Sequence, residues 1–283
     1  MTRILVLHCG PMKTGSTAIQ DILQEQRQKL SEVGIGYHHI PAKDLLDNLC
    51  KAIYHERVTA NKVVLVSSEF FGQVSPVCLK KIINIFNGSA HAILVSRPLR
   101  EVYPSLYLQN LKGSSRRITS FRYFLDNQIN LDSLNPEKHL VGQLMNAPVL
   151  DSRLSSAGCV THWIRYSKET LIRDFFDLLG DISKVNLDGM DAIHLAKPSK
   201  LSARRSLRME FSGLARGINF LNRKKILADY LRELLLVLLL NLSDFLNFIP
   251  GQRSPLSEAE RERCDAVDRS INKPFLISRG LKI

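Results

Sequence analysis

The sequence predicts an α/β fold, with a mainly parallel sheet flanked by helices and a helical C-terminal part. Three observations carry this reading. Short, nearly uninterrupted apolar runs recur up to residue 166, stretches with helical apolar spacing separate them, and from about Lys197 onward long helical patterns replace both. Apolar runs without alternation belong to strands covered on both faces, and a β-α-β-α order favours parallel neighbours joined by helical crossovers.

Ile4 to His8 forms the first predicted strand, and a glycine- and hydroxyl-containing loop runs from it straight into a helix. Ile19, Ile22, Leu23 and Leu30 share one face of that helix. Val63 to Val66 is the second strand, and Pro76 then opens a helix with Leu79, Ile82, Ile83 and Phe86 on its inner face. Ala92 to Val95 and Val160 to Tyr166 are the third and fourth strands. A helix over Lys168 to Leu179 turns Phe175, Phe176 and Leu179 inward, with Gly180 expected to stop it.

In the C-terminal part, Leu231 to Ile249 is apolar enough to raise the question of a membrane segment. Arg232, Glu233, Asn241 and Asp244 interrupt it, so a buried helix fits better than an interfacial one. Ile249-Pro250-Gly251 breaks the helix, and Ser257 with Glu260 three residues on forms a capping box for the next. The expected organisation is a single domain over residues 1–283, with an α/β nucleotide-binding core over about 1–196 and a helical flank or cap over about 197–283.

Lys and Arg outnumber Asp and Glu by 39 to 27, a formal charge of +12, which directs attention to anionic partners. No basic-aromatic motif for reading nucleic acid accompanies the charge. The five cysteines are scattered without CxxC or His-interleaved spacing, so neither a disulfide framework nor a metal is expected. With only Ile4 to Leu7 as an apolar run near the N-terminus, no signal peptide is expected and a cytoplasmic location is.

The loop after the first strand reads Cys9-Gly10-Pro11-Met12-Lys13-Thr14-Gly15-Ser16-Thr17. Its amides and the positive end of the following helix converge on one point, which suits a phosphate. Gly10 and Gly15 let the backbone curl, Lys13 brings a mobile charge, and Ser16 and Thr17 bring hydroxyl donors. A kinase or ATPase loop places its lysine directly after the second glycine; here Lys13 precedes Gly15 by two.

This displaced lysine makes GPMKTGST similar to the phosphosulfate loop of sulfotransferases that use 3′-phosphoadenosine-5′-phosphosulfate (PAPS), apart from Met12 where a proline is usual. A second match follows strand Ala92 to Val95. Arg97, then Ser105 eight positions later and Tyr107 beyond it, have the spacing of that family's 3′-phosphate site. Leu99 departs from the usual proline, and Pro104 predicts a kink or a start in the helix that carries Ser105. A third, looser match is RYSKETLIRDFFDLLG, in which Tyr166 either approaches the adenine or packs at the strand end.

The resemblance implies a P-loop nucleotide-binding type of fold and sulfuryl transfer from PAPS, without a metal, to a hydroxyl or amine acceptor, with a carbohydrate preferred. Lys13 would act on the bridging oxygen and the transferring group; Thr14, Gly15, Ser16 and Thr17 would hold the 5′-phosphate, and Arg97 and Ser105 the 3′-phosphate. Glu69, which follows the second strand in VLVSSEFF, is the candidate general base, and His38 or His39 in GYHHIP is the alternative. His8 and His162 read as core residues on strands. Two other readings stay open, a P-loop kinase or NTPase and a basic anion-binding protein without catalysis.

Overall fold

The computed structural model describes residues 3–10, 14–41, 44–59, 61–112, 120–129, 146–188, 190, 212–246 and 256–281. They divide into two units. The first takes residues 1–97, 143–202 and 270–283, and the second residues 98–142 and 203–269.

The first unit is built on five parallel strands, β1 (Ile4–His8), β2 (Ile35–His39), β3 (Val63–Ser67), β4 (Ser89–Ser96) and β5 (Val160–Arg165), in the order β2-β3-β1-β4-β5. Its helices are α1 (Ser16–Glu25), α2 (Arg27–Glu32), α3 (Leu45–Val58) and α4 (Pro76–Phe86). After the residues of the second unit's first segment come α7 (Ala147–Ser156), α8 (Leu171–Ser183) and, near the C-terminus, α12 (Lys273–Ser278). The α/β class with a parallel sheet is therefore the observed one.

The continuous apolar runs have the cause expected of them, since both sheet faces are covered. On one face Val6, Leu65, Ile93 and Ile164 pack with Ile19 and Leu23 of α1 and Phe175 and Leu179 of α8. Leu5, Leu7, Val64, Val66 and Leu94, of opposite parity, are equally buried. At roughly 1.5–3 kcal/mol for each large side chain removed from water, these two layers dominate the unit's stability. Asp151 of α7 adds a polar clamp: its buried carboxylate accepts from Thr161 Oγ1 (2.5 Å), Trp163 Nε1 (3.0 Å) and the Arg279 guanidinium.

Topology positions the loop after β1. The chain goes from β1 to the edge strand β2, returns through β3, and then crosses β1 to reach β4 and β5. Its progress reverses at β1, and in open α/β sheets the crevice outside the carboxyl ends at such a reversal is where ligands bind.

Several elements differ from the sequence expectation. GYHHIP begins with a strand, β2, because Ile35 and Tyr37 are buried against α1 and α2 while Gly36 and His38 face the other way. The first helix divides at Gln26 into α1 and α2. Gly180 does not stop α8, which runs on to Ser183 and ends at Lys184 in the left-handed conformation. A Cβ at Gly180 would lie 3.2 Å from the Val185 carbonyl, so glycine there serves the returning chain.

The second unit contains α5 (Leu99–Lys112), α6 (Phe121–Ile129), α9 (Ser212–Arg223), α10 (Asp229–Leu246) and α11 (Glu258–Val267). Pro104 sits inside α5, five residues after its start, so it does not begin the helix. Tyr103, Tyr107, Phe121 and Phe124 form the aromatic contact between α5 and α6. Arg232, which interrupts the apolar run of α10, is buried and gives its Nε to Asn219 Oδ1 (2.8 Å), whose amide in turn donates to the Leu111 carbonyl (3.0 Å). Among the described residues no helix is long and apolar enough to cross a membrane. The capping box of Ser257 and Glu260 is present at the start of α11. The expected boundary near residue 196 lies outside the described residues.

Candidate functional site

Strand β1 hands its chain to the loop through His8, Cys9 and Gly10, and the loop re-enters described structure at Thr14. Lys13 lies outside the described residues. Gly15 precedes α1 with φ +93°, a left-handed conformation that glycine adopts without penalty. Space also demands glycine there. An added Cβ would come within 2.5 Å of Leu171 Cδ2 and 3.0 Å of the Tyr166 ring.

Tyr166 follows β5, and on its ring stands the guanidinium of Arg97, 4.3 Å from the centroid, which leaves β4 one residue after its end. The Tyr166 amide donates to the Ser96 carbonyl (2.7 Å), so the two strand ends are tied together. The loop's Gly15 and Arg97, far apart in sequence, thus both lie against one tyrosine at the carboxyl edge of β1, β4 and β5. Cation–π stacking of this kind contributes on the order of 0.5–2 kcal/mol.

Two buried polar atoms next to the start of the loop, Ser16 Oγ and His8 Nε2, meet no hydrogen-bond partner among the described residues. Both lie beside Gly10, whose missing Cβ would sit 2.1 Å from Ser16 Oγ and 3.4 Å from His8 Nε2. A buried donor or acceptor left unsatisfied costs about 1–3 kcal/mol, so this corner gains from an oxygen-bearing group above it. Thr14 is buried with a partner, and Thr17 is half-buried on the first turn of α1, which carries no acidic side chain.

His8 is wholly enclosed. Its Nδ1 is 2.8 Å from Ser67 Oγ, which also accepts from Gln20 Nε2 (3.1 Å), and the Phe175 ring meets it edge-on at 5.2 Å. Burial, with the nearby His39 as a smaller cause, lowers its pKa from 6.5 to about 3, so the ring is neutral. In the tautomer in which Nδ1 accepts from Ser67 Oγ, the ring proton sits on Nε2 beside Gly10. Sequence reasoning placed His8 in the core but missed this polar chain, because nothing local in ILVLH marks one histidine atom as unpaired.

Glu69 emerges two residues after β3. The ladder extends to Ser68, whose amide donates to the His8 carbonyl (3.1 Å), so Glu69 follows at the same edge as Gly10. It is half-buried and has a partner of its own. His39 pairs in register with Ser67, and through Ser67 with His8, two strands from β1 and so roughly 10 Å away at ~4.8 Å per strand. Ser105 lies half-buried on α5 in the second unit.

His38 is engaged elsewhere. Its Nε2 is 2.7 Å from Glu56 Oε1, whose second oxygen takes hydrogen bonds from Thr59 and Asn61. Burial opposes ionisation of Glu56, but the Thr59, Asn61 and His38 contacts outweigh it and hold the carboxyl down to about 2. His55 Nδ1 joins the cluster at 3.4 Å. A cavity of about 630 Å³ between α3 and α4 is lined by Ile53, Tyr54, Ile82 and Ile85 together with Lys51, His55 and Thr59, and its surface is mostly apolar.

All five cysteines are unpaired, and burial pushes Cys159 and Cys264 up to about 12, which keeps them unreactive thiols. Arg279, whose Arg-Gly pair lies near the C-terminus, is committed to Asp151. Arg223, Lys224 and Lys225 are exposed at the end of α9, while Arg204, Arg205 and Arg208 lie outside the described residues. No protein-family model matches the chain, and no curated protein matches it.

Proposed function

We propose that this protein transfers the sulfuryl group of PAPS to a hydroxyl or amine acceptor, with a carbohydrate preferred. The observation that carries the reading is that Gly15 and Arg97 both lie against Tyr166. A nucleotide with phosphates at its 5′ and 3′ positions requires two anion-binding places one ribose apart. A loop of P-loop type and an arginine at a neighbouring strand end, joined through one aromatic ring, suit that requirement.

In this reading Thr14, Gly15, Ser16 and Thr17 hold the 5′-phosphate, with Ser16 Oγ gaining the partner it lacks. Arg97 offers paired donors to the 3′-phosphate, and Tyr166 orients Arg97 by stacking rather than by binding adenine. For Ser105, the resemblance alone speaks. The acceptor oxygen attacks sulfur as the bond from sulfur to the bridging phosphate oxygen breaks, giving the sulfate ester and 3′,5′-adenosine bisphosphate. Lys13 neutralises charge on the leaving oxygen, and Glu69 takes the acceptor's proton.

The test is thermal stabilisation by 3′,5′-adenosine bisphosphate compared with ATP, each with and without Mg²⁺. The bisphosphate should stabilise the protein without Mg²⁺, and Arg97→Ala should abolish most of that effect. Stabilisation by ATP-Mg²⁺ alone would replace this reading with a P-loop kinase or NTPase. For the base, Glu69→Gln should keep bisphosphate binding and lose turnover, whereas loss of turnover in His39→Gln alone would assign the proton to His39.

A further inference from the structure

We infer that His38, His55 and Glu56 form a binding site for a late first-row divalent cation, best matched by Zn²⁺. The site stands independently of sulfuryl transfer. No metal-ligand spacing marks it in the sequence, because its donors come from the end of β2 and the last turns of α3.

The donor atoms already point at one place. Glu56 Oε1 is 2.7 Å from His38 Nε2 and 3.4 Å from His55 Nδ1, and one donor atom from each residue fits within a span of 4.8 Å. A tetrahedral zinc ion with bonds of about 2.0–2.2 Å holds its ligand atoms roughly 3.3 Å apart. Rotating the imidazoles so that the widest donor pair closes from within 4.8 Å by about 1.5 Å satisfies that geometry. His55 can make the adjustment because its side chain is 65% exposed, whereas Glu56 is fixed.

What fixes Glu56 is a shell of supporting contacts. Thr59 Oγ1 and Asn61 Nδ2 (2.8 Å) both donate to Oε2, which leaves Oε1 turned toward the two histidines. Gly36 makes the room, since a Cβ there would fall 2.4 Å from the Glu56 carboxyl carbon. Support of a ligating carboxylate through its second oxygen is the usual second layer of a metal site. Two imidazoles with one carboxylate favour zinc and its neighbours over calcium or magnesium, which prefer all-oxygen sets.

His38 and His55 also line a cleft of about 470 Å³ bordered by Arg27, His39, Asn48 and Lys51. Its basic rim suits a water, hydroxide or small anion as fourth ligand. A plain ion pair between His38 and Glu56 accounts for those two residues but gives His55 no work to do, and this is where the two accounts separate.

The experiment is calorimetric titration of the full chain with Zn²⁺ alone, repeated for His55→Ala and Asn61→Ala, with Co²⁺ absorption as a second readout. One ion should bind per chain, His55→Ala should weaken it by at least about ten-fold, and Asn61→Ala by about 10–100-fold. His55→Ala should leave the melting temperature without metal unchanged, since the ring is mostly exposed. Cobalt should show visible ligand-field bands without the charge-transfer absorption of thiolate. Failure to find one saturable ion per chain, undiminished affinity in His55→Ala, or thiolate-type absorption would each overturn the site.

Discussion

Below about pH 6.5 the first unit should lose stability in a way that traces to His8. The ring is enclosed with Ser67, Phe175 and Gly10 about it, Gln20 behind Ser67 and His39 as the other titratable group acting on it. Its folded pKa near 3 lies below the ordinary 6.5, so the fold keeps it neutral while the unfolded chain takes up a proton as pH falls. The contribution is complete above 6.5 and declines toward 3, with a slope of up to ~1.4 kcal/mol per pH unit. Between about pH 8 and about pH 5 this amounts to about 2 kcal/mol. Denaturant titration followed by Trp163 fluorescence reads the right unit, because this single tryptophan lies on β5. His91 and His162, half-buried with ring nitrogens 3.0 Å apart, are shifted in the same direction and add to the slope. Comparison with His8→Asn cancels their part. The variant should lose about 2 kcal/mol of the difference between the two pH values, whatever its stability at pH 8. An identical pH dependence in both proteins would show that His8 titrates alike in the folded and unfolded chain and that the enclosed neutral ring is wrong.

Gly15→Ala should cost about 1–3 kcal/mol by denaturation, from the left-handed backbone and the overlap with Leu171, and Gly15→Ala with Leu171→Ala should cost less than the sum of the two; strict additivity would contradict the contact. Asp151→Ala should destabilise the first unit by about 1–3 kcal/mol, because Thr161 and the Trp163 indole lose their buried acceptor while the half-exposed Arg279 can turn to water. A loss below about 1 kcal/mol, measured on Trp163, would mean that the clamp is solvated. Asn219→Ala should cost the second unit about 1–3 kcal/mol by leaving the buried Arg232 Nε and the Leu111 carbonyl unpaired, and helical circular dichroism on melting checks it.

Legibility followed the range of each interaction. The strands from Ile4, Val63 and Ala92, and the capping box at Ser257, were readable because their signals are local: an apolar run, or a hydroxyl three residues before a glutamate. Strand β2 was not, since only two of its five residues are large apolar ones and two are histidines, a composition that resembles a loop until the sheet is assembled. Gly180 misled because a glycine after an amphipathic stretch signals a cap, while its use here is close approach to Val185. At the candidate site Gly15 and Arg97 were legible one at a time as motif residues. Their meeting on Tyr166 depends on the parallel placement of β4 and β5, which no spacing encodes.

The tandem histidines show what that placement adds to the proposed chemistry. In the sequence His38 and His39 were interchangeable alternatives to Glu69, but side chains on a strand alternate faces. His39 pairs in register with Ser67 and so shares the face on which His8 and Ser67 meet, and it is the group whose charge helps to lower His8. His38 has the parity of Gly36 and turns to Glu56. A base must release its own proton and have an unengaged lone pair within reach of the acceptor. His38 turns its Nε2 to the Glu56 carboxylate on the sheet face away from Ser67 and His8, so its position sets it apart from the groups at the carboxyl edge. One residue of register thus separates two roles, leaving His39 beside Glu69 at the carboxyl edge and assigning His38 to the cluster on α3.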